Sequence, residues 1–148
     1  MDIFIGSDHA GYEMKKALKE YLQGTKYKIT DLGAFSGEEA VDYPDMAREV
    51  VEKVLEYPGS FGIVICGTGQ GSAMAANRFR KIRAALCDSE YLAEMARAHN
   101  HANVLCLGAR VIDIDLAKKI VDKFLNTNFD NDERHKRRVE KIDKNIGI

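Results

Sequence analysis

The chain has 148 residues, 45% of them hydrophobic and 30% charged, and its 22 Lys+Arg nearly balance 23 Asp+Glu for a net charge of −1. That predicts one domain with a buried core, and excludes a disordered tail and a nucleic-acid binder built on bulk positive charge. Three cysteines without C-x-x-C spacing suit neither a disulfide framework nor a structural zinc site, and point to a reducing compartment such as the cytoplasm. No apolar run reaches the roughly 20 residues of a membrane span, and residues 1–8 lack the basic start of a secretory leader.

A short apolar run at residues 3–5 leads into Ser7-Asp8-His9-Ala10-Gly11. Met14, Ala17, Leu18, Tyr21 and Leu22 then recur at helical spacing, and Gly24 stands where a helix-ending glycine belongs. A second run covers 27–32. Asp42-Tyr43-Pro44-Asp45 follows, with Pro44 tolerated in the first turn of a helix that Ala47, Val50, Val51, Val54 and Leu55 continue. A third run, 61–66, passes into a glycine loop and a predicted helix over 72–79. The fourth run, 82–87, precedes a helix over 90–98, and the fifth spans 104–107. Ala117, Ile120, Val121, Phe124 and Leu125 mark a further helix, and the last is expected at about 133–144.

Alternating Ile/Val-rich runs and amphipathic stretches, with no linker or repeat, predict one α/β domain over 1–148 with a parallel sheet covered on both faces. Such sheets bind ligands beyond the carboxyl ends of their strands, so chemistry is expected in the loops there. The strand order is not readable from the spacing.

Gly67-Thr68-Gly69-Gln70-Gly71-Ser72 has alternate glycines that aim backbone N–H groups inward, with a helix N-terminus behind them. It matches neither the dinucleotide fingerprint, which needs glycine at 72, nor the P-loop ending. A tight strand-to-helix turn is its plain structural alternative. Cys66 stands at the last strand position before it, where a thiolate has a positive helix end beside it and serves as nucleophile or base. Cys87 and Cys106 are expected to be small buried hydrophobes.

Asp8 and His9 either cap the first helix or grip hydroxyls, and Tyr43 either starts a helix or turns its hydroxyl to a ligand. His99-Asn100-His101 closes a helix, as a C-cap or as acid/base equipment. Arg110 follows the fifth strand. Arg134 and Arg138, four residues apart, share a helix face and have the shape for a phosphate, although surrounding acids also suit a solvated face.

Taken together, Ser7-Asp8-His9-Ala10-Gly11, Asp42-Tyr43-Pro44, Cys66-Gly67-Thr68-Gly69, Ala75-Ala76-Asn77-Arg78, His99-Asn100, Asn103-Val104-Leu105, Gly108-Ala109-Arg110 and Arg134-His135 through Arg138 resemble the type B ribose-5-phosphate isomerase family. The family also contains galactose- and allose-6-phosphate isomerases. The resemblance implies a three-layer α/β/α sandwich, Rossmann-like, with a five-stranded parallel sheet and an extra C-terminal helix. It further implies a homodimer (or tetramer) whose active sites are lined by both subunits, and sugar-phosphate isomerisation without metal or cofactor. Carried over, Cys66 is the base and His99 assists ring opening. Thr68 and the loop of Gly67, Gly69, Gln70 and Gly71 stabilise the enediolate. Asp8, Tyr43 and Asn100 contact sugar oxygens, while His9, Arg110, Arg134 and Arg138 hold the phosphate. A second branch of the family uses a glutamate where this chain has Ser72, so the cysteine branch is the nearer one; His101 departs from the acidic residue expected there.

Two other functions fit parts of this pattern: isomerisation of a hexose 6-phosphate by the same groups, and a phosphate-binding module without turnover. The acidic cluster of a response regulator is absent, since Asp8 stands without an adjacent acid.

Overall fold

The Ile- and Val-rich runs become the inner strands of one sheet in the computed structural model, which describes residues 1–145. In chain order the elements are β1 (Asp2–Ser7), α1 (Tyr12–Leu22), β2 (Lys28–Asp31), α2 (Tyr43–Glu56), β3 (Phe61–Cys66), α3 (Gln70–Ala76), β4 (Ala84–Leu86), α4 (Glu90–Ala98), β5 (Val104–Gly108), α5 (Ile114–Asn126) and α6 (Glu133–Lys144). A 3-10 turn over His9–Gly11 joins β1 to α1. The five strands lie in the order β2-β1-β3-β5-β4, and every neighbouring pair is parallel.

Side-chain alternation divides the core into two layers. Ile3, Ile5, Ile63, Ile65, Leu105 and Leu107 face one way and pack under α1, α4 and α5. Phe4, Val64, Val104 and Cys106 face the other way and meet α2 and α3. The expected α/β/α layering is therefore observed, and helix α6 is the additional element outside it. Of its side chains, His135 and Val139 are buried. An Arg83–Asp143 ion pair at 2.8 Å ties its far end to the start of β4.

Two elements differ from the spacing-based expectation. The helix expected over 72–79 begins two residues earlier, at Gln70, and ends at Ala76. Gly69, at φ +82°, turns the chain directly into it. Asn77 then leaves the helix because its side chain binds the backbone of Ala84 twice, at 2.8 and 2.9 Å. The fourth run contracts from 82–87 to three paired residues, because Arg83 N–H is taken by the Asn103 side chain at 2.8 Å rather than by a ladder.

Candidate active site

β1 and β3 are neighbours whose connections leave on opposite sides, the topology at which parallel sheets place a ligand beyond their carboxyl ends. Ser7 lies in register with Ile65, and Cys66 with Gly108. The loops after β1, β3 and β5 consequently meet at one place, and they bring Asp8, Cys66 and Arg110 together.

Cys66 is 3% exposed, and its sulfur accepts a hydrogen bond from the Gly69 N–H at 3.2 Å. Backbone pairing continues past the strand ends: Ala109 N–H reaches Cys66 O and Arg110 N–H reaches Gly67 O, both at 2.9 Å. The Arg110 guanidinium lies across the loop, since a Cβ built on Gly67 would stand 3.0 Å from its Nη1. Thr68 Oγ1 accepts from Gln70 N–H at 3.3 Å, and both residues are exposed.

Tyr43, in the first turn of α2, presses its ring on Gly71. Any Cβ there would come within 2.4 Å of the ring, so only glycine admits this approach. Asp8 does cap the 3-10 turn, its Oδ1 accepting from Gly11 N–H at 3.1 Å, and it is also pinned beside Cys66 by its own N–H to Ile65 O at 3.1 Å. His9 Nδ1 accepts from Val41 N–H at 3.3 Å, which leaves the proton of the neutral ring on Nε2.

The other two thiols have different surroundings. Burial, assisted by the Asp88 charge, pushes the Cys87 thiol up to about 12. Complete burial raises Cys106 further still. Both behave as the small buried hydrophobes expected of them.

The remaining site residues lie elsewhere. Helix α4 leaves the carboxyl end of β4 and descends to the amino end of β5, so His99, its C-cap, and the exposed Asn100 sit at the opposite edge of the sheet from Cys66. The four residue steps from Val104 to Gly108 alone separate the two edges by roughly 13 Å. Helix α6 begins at the same edge, with Arg134 and Arg138 exposed and the His135 ring stacked on that of His99 at 4.2 Å. His101, at φ +50°, stacks on Phe129 at 4.4 Å. Burial, with the charges of Arg97 and Arg83 beyond it, holds the His101 imidazole below its ordinary pKa.

Two buried cations escaped the motif analysis. Arg97 binds Ala102 O at 2.5 Å under the ring of Phe61. Lys15 is 1% exposed and contacts Asp31 Oδ1 at 2.7 Å as well as Ala34 O. Each sits on an amphipathic helix where a charged residue ordinarily faces water, so spacing alone carried no signal of burial.

Comparison with known proteins adds to this geometry. A family model described as Ribose/Galactose Isomerase matches residues 3–142. Ribose-5-phosphate isomerase B of Escherichia coli is 41% identical over 140 residues, covering 95% of this chain and 93% of the relative. A sugar phosphate isomerase assigned in Rickettsia conorii is 47% identical over 141 residues, covering 95% and 96%. Among solved structures, a ribose 5-phosphate isomerase of Thermotoga maritima superposes with a TM-score of 0.92 at 51% identity, covering 97% of each chain. A ribose-5-phosphate isomerase B of Mycoplasma genitalium, solved with bound ribulose-5-phosphate, also scores 0.92, at 44% identity with 97% of this chain and 94% of that one covered.

Proposed function

The chain belongs to the ribose/galactose isomerase family, and from that footing we propose how it interconverts ribose 5-phosphate and ribulose 5-phosphate. Cys66 is the base that carries the proton between C2 and C1. The observation that carries this is its sulfur at the β3 tip, held 3.2 Å from the Gly69 N–H. In the open-chain aldose the thiolate removes the C2 proton, and the electron pair moves through the new C1–C2 double bond onto O1. The O2 proton passes to O1, which restores the C1 hydroxyl, and the same thiol returns the carbon-bound proton to C1 as the C2 carbonyl forms.

The intermediate is an enediolate, and catalysis depends on donors already aimed at its oxygens. The N–H groups of Gly67 and Gly71 and the Thr68 hydroxyl are the donors at hand, while the Gly69 N–H serves the sulfur and the Gln70 N–H orients the Thr68 hydroxyl. Asp8 and Tyr43 hold sugar hydroxyls, while His9 and Arg110 face the phosphate.

His99 delivers a proton to the ring oxygen to open the furanose, Asn100 binds a sugar hydroxyl, and Arg134 and Arg138 anchor the phosphate. Because they stand at the far edge of the sheet from Cys66, these four serve the cleft of a second copy of the chain in a homodimer. Symmetry then gives each dimer two composite sites. Free thiols at Cys66, Cys87 and Cys106 support a cytoplasmic setting.

The test is incubation of the purified protein with ribose 5-phosphate and detection of the ketose, beside allose 6-phosphate and galactose 6-phosphate. Turnover is expected with the pentose phosphate at the highest kcat/KM. Higher kcat/KM on either hexose phosphate would refute the pentose assignment.

A further inference from the structure

His135 has no part in the chemistry above, yet it is only 4% exposed on a helix that is otherwise mostly charged. One face of it is covered by the imidazole of His99, whose plane lies 10° from parallel at a centroid distance of 4.2 Å. At its edge, Arg134 Nη2 stands 3.3 Å from Nε2. A guanidinium only donates, so Nε2 accepts and the ring proton sits on Nδ1. Asp130 Oδ2, at 3.8 Å from the same nitrogen, is too distant to compete. One buried ring therefore touches both the group assigned to ring opening and an arginine assigned to the phosphate.

We propose that His135 is a positioning residue, which clamps the His99 imidazole in one plane and ties that plane to the phosphate anchor Arg134. The inference rests on the roles given to His99 and Arg134 above. The need for a clamp follows from where His99 stands. It is the half-buried C-cap of α4, at φ −102° and ψ −37°, a position where a side chain without a packing partner samples several rotamers.

The stack closes one broad face of the ring and leaves the edge nitrogens open. A contact outside the two rings holds its halves together. Asp130 N–H binds Ala98 O at 2.8 Å, fastening the segment before α6 to the end of α4. The same segment supplies Phe129, which lies 5° from parallel to His101. Residues 129–135 thus present two flat rings to two histidines of one turn, and only the His135 stack bears on a residue assigned to the reaction.

The clamp acts on both constants in separable ways. Loss of the stack lets the imidazole leave its attack plane, and a displacement near 1 Å costs up to ~100-fold. Loss of the Nε2 contact frees Arg134 and weakens phosphate binding. His135→Ala is accordingly expected to lower kcat by ~10-fold and to raise KM. His135→Phe keeps a flat ring without the nitrogen, so kcat should recover to within roughly 3-fold while KM stays raised.

Val139→Ala, at the other buried position of α6, and His99→Asn are measured alongside, with thermal unfolding of each variant. The clamp is overturned if His135→Phe is as slow in kcat as His135→Ala. It is equally overturned if Val139→Ala lowers kcat as much, since the effect would then belong to helix docking. His99→Asn slow beside His135→Ala at the wild-type rate sinks the clamp alone, whereas wild-type kcat in His99→Asn sinks the ring-opening assignment itself. Should His135→Ala fail to fold, the comparison of His135→Phe with Val139→Ala decides.

Discussion

Cys66, Cys87 and Cys106 place one side chain in three surroundings. Cys66 ends β3, Cys87 follows β4 and Cys106 lies in the middle of β5, and each is buried. Cys87 and Cys106 are raised by burial, which keeps them neutral thiols at physiological pH. Cys66 differs in having a backbone N–H aimed at its sulfur and the glycine loop directly after it. A positioned general base contributes ~100–10,000-fold, so Cys66→Ala should lose kcat in that range. Binding of ribulose 5-phosphate, followed by calorimetry, should survive in the same variant. Retention of a tenth of the wild-type kcat would mean that another group moves the proton. This residue was legible from the sequence because the strand end, the cysteine and the glycine loop are contiguous.

At the scale of elements, the segment from β2 to α2 straps the cleft. Asp31 closes it at one end, holding Lys15 and Lys19 each at 2.7 Å and accepting from Gly33 N–H at 2.9 Å. Ala34 N–H then binds Ser7 O at 2.7 Å, Val41 reaches His9, and Tyr43 covers Gly71. Burial alone would raise the Asp31 carboxyl, but the hydrogen bonds from Lys15, Lys19 and Gly33 outweigh it and hold the pKa below the usual value. A lowered carboxylate stabilises the folded state above the unfolded pKa of about 3.9, and that contribution is lost as the pH falls further.

Urea midpoints measured from pH 6 to pH 2 should therefore fall more steeply for the wild type than for Asp31→Asn. The variant should also be less stable at neutral pH, where Lys15 is left buried without its partner. Equal acid slopes in the two proteins would remove Asp31 from the account. None of this strap was readable in advance. Most of its contacts join residues that are distant in the chain, and such pairings leave no pattern in side-chain spacing. The same reason explains the misplaced ends of α3 and β4: Asn77 and Asn103 stop them by contacts made only after the sheet assembles.

The proposed site draws on two opposite ends of the sheet, with Cys66 at one and His99 at the other. If two copies complete each other, Cys66→Ala and His99→Asn fail in complementary halves. Mixing the two inactive proteins under conditions that exchange subunits should restore about a quarter of wild-type activity, because half of the dimers are hybrids with one intact site of two. No recovery after demonstrated exchange would show that one chain supplies both groups to its own cleft.

Sequence alone sufficed for the α/β class, the helix and strand count, the glycine loop and the family, because periodicity and contiguous motifs are local properties of the chain. Only the tertiary structure decided that the motif residues fall into two groups at opposite edges, that Asp31 and Lys15 fasten the strap, and that His135 lies on His99. Those relations depend on strand order and on the direction in which each helix returns, and a parallel sheet sets both through contacts between residues far apart in the chain.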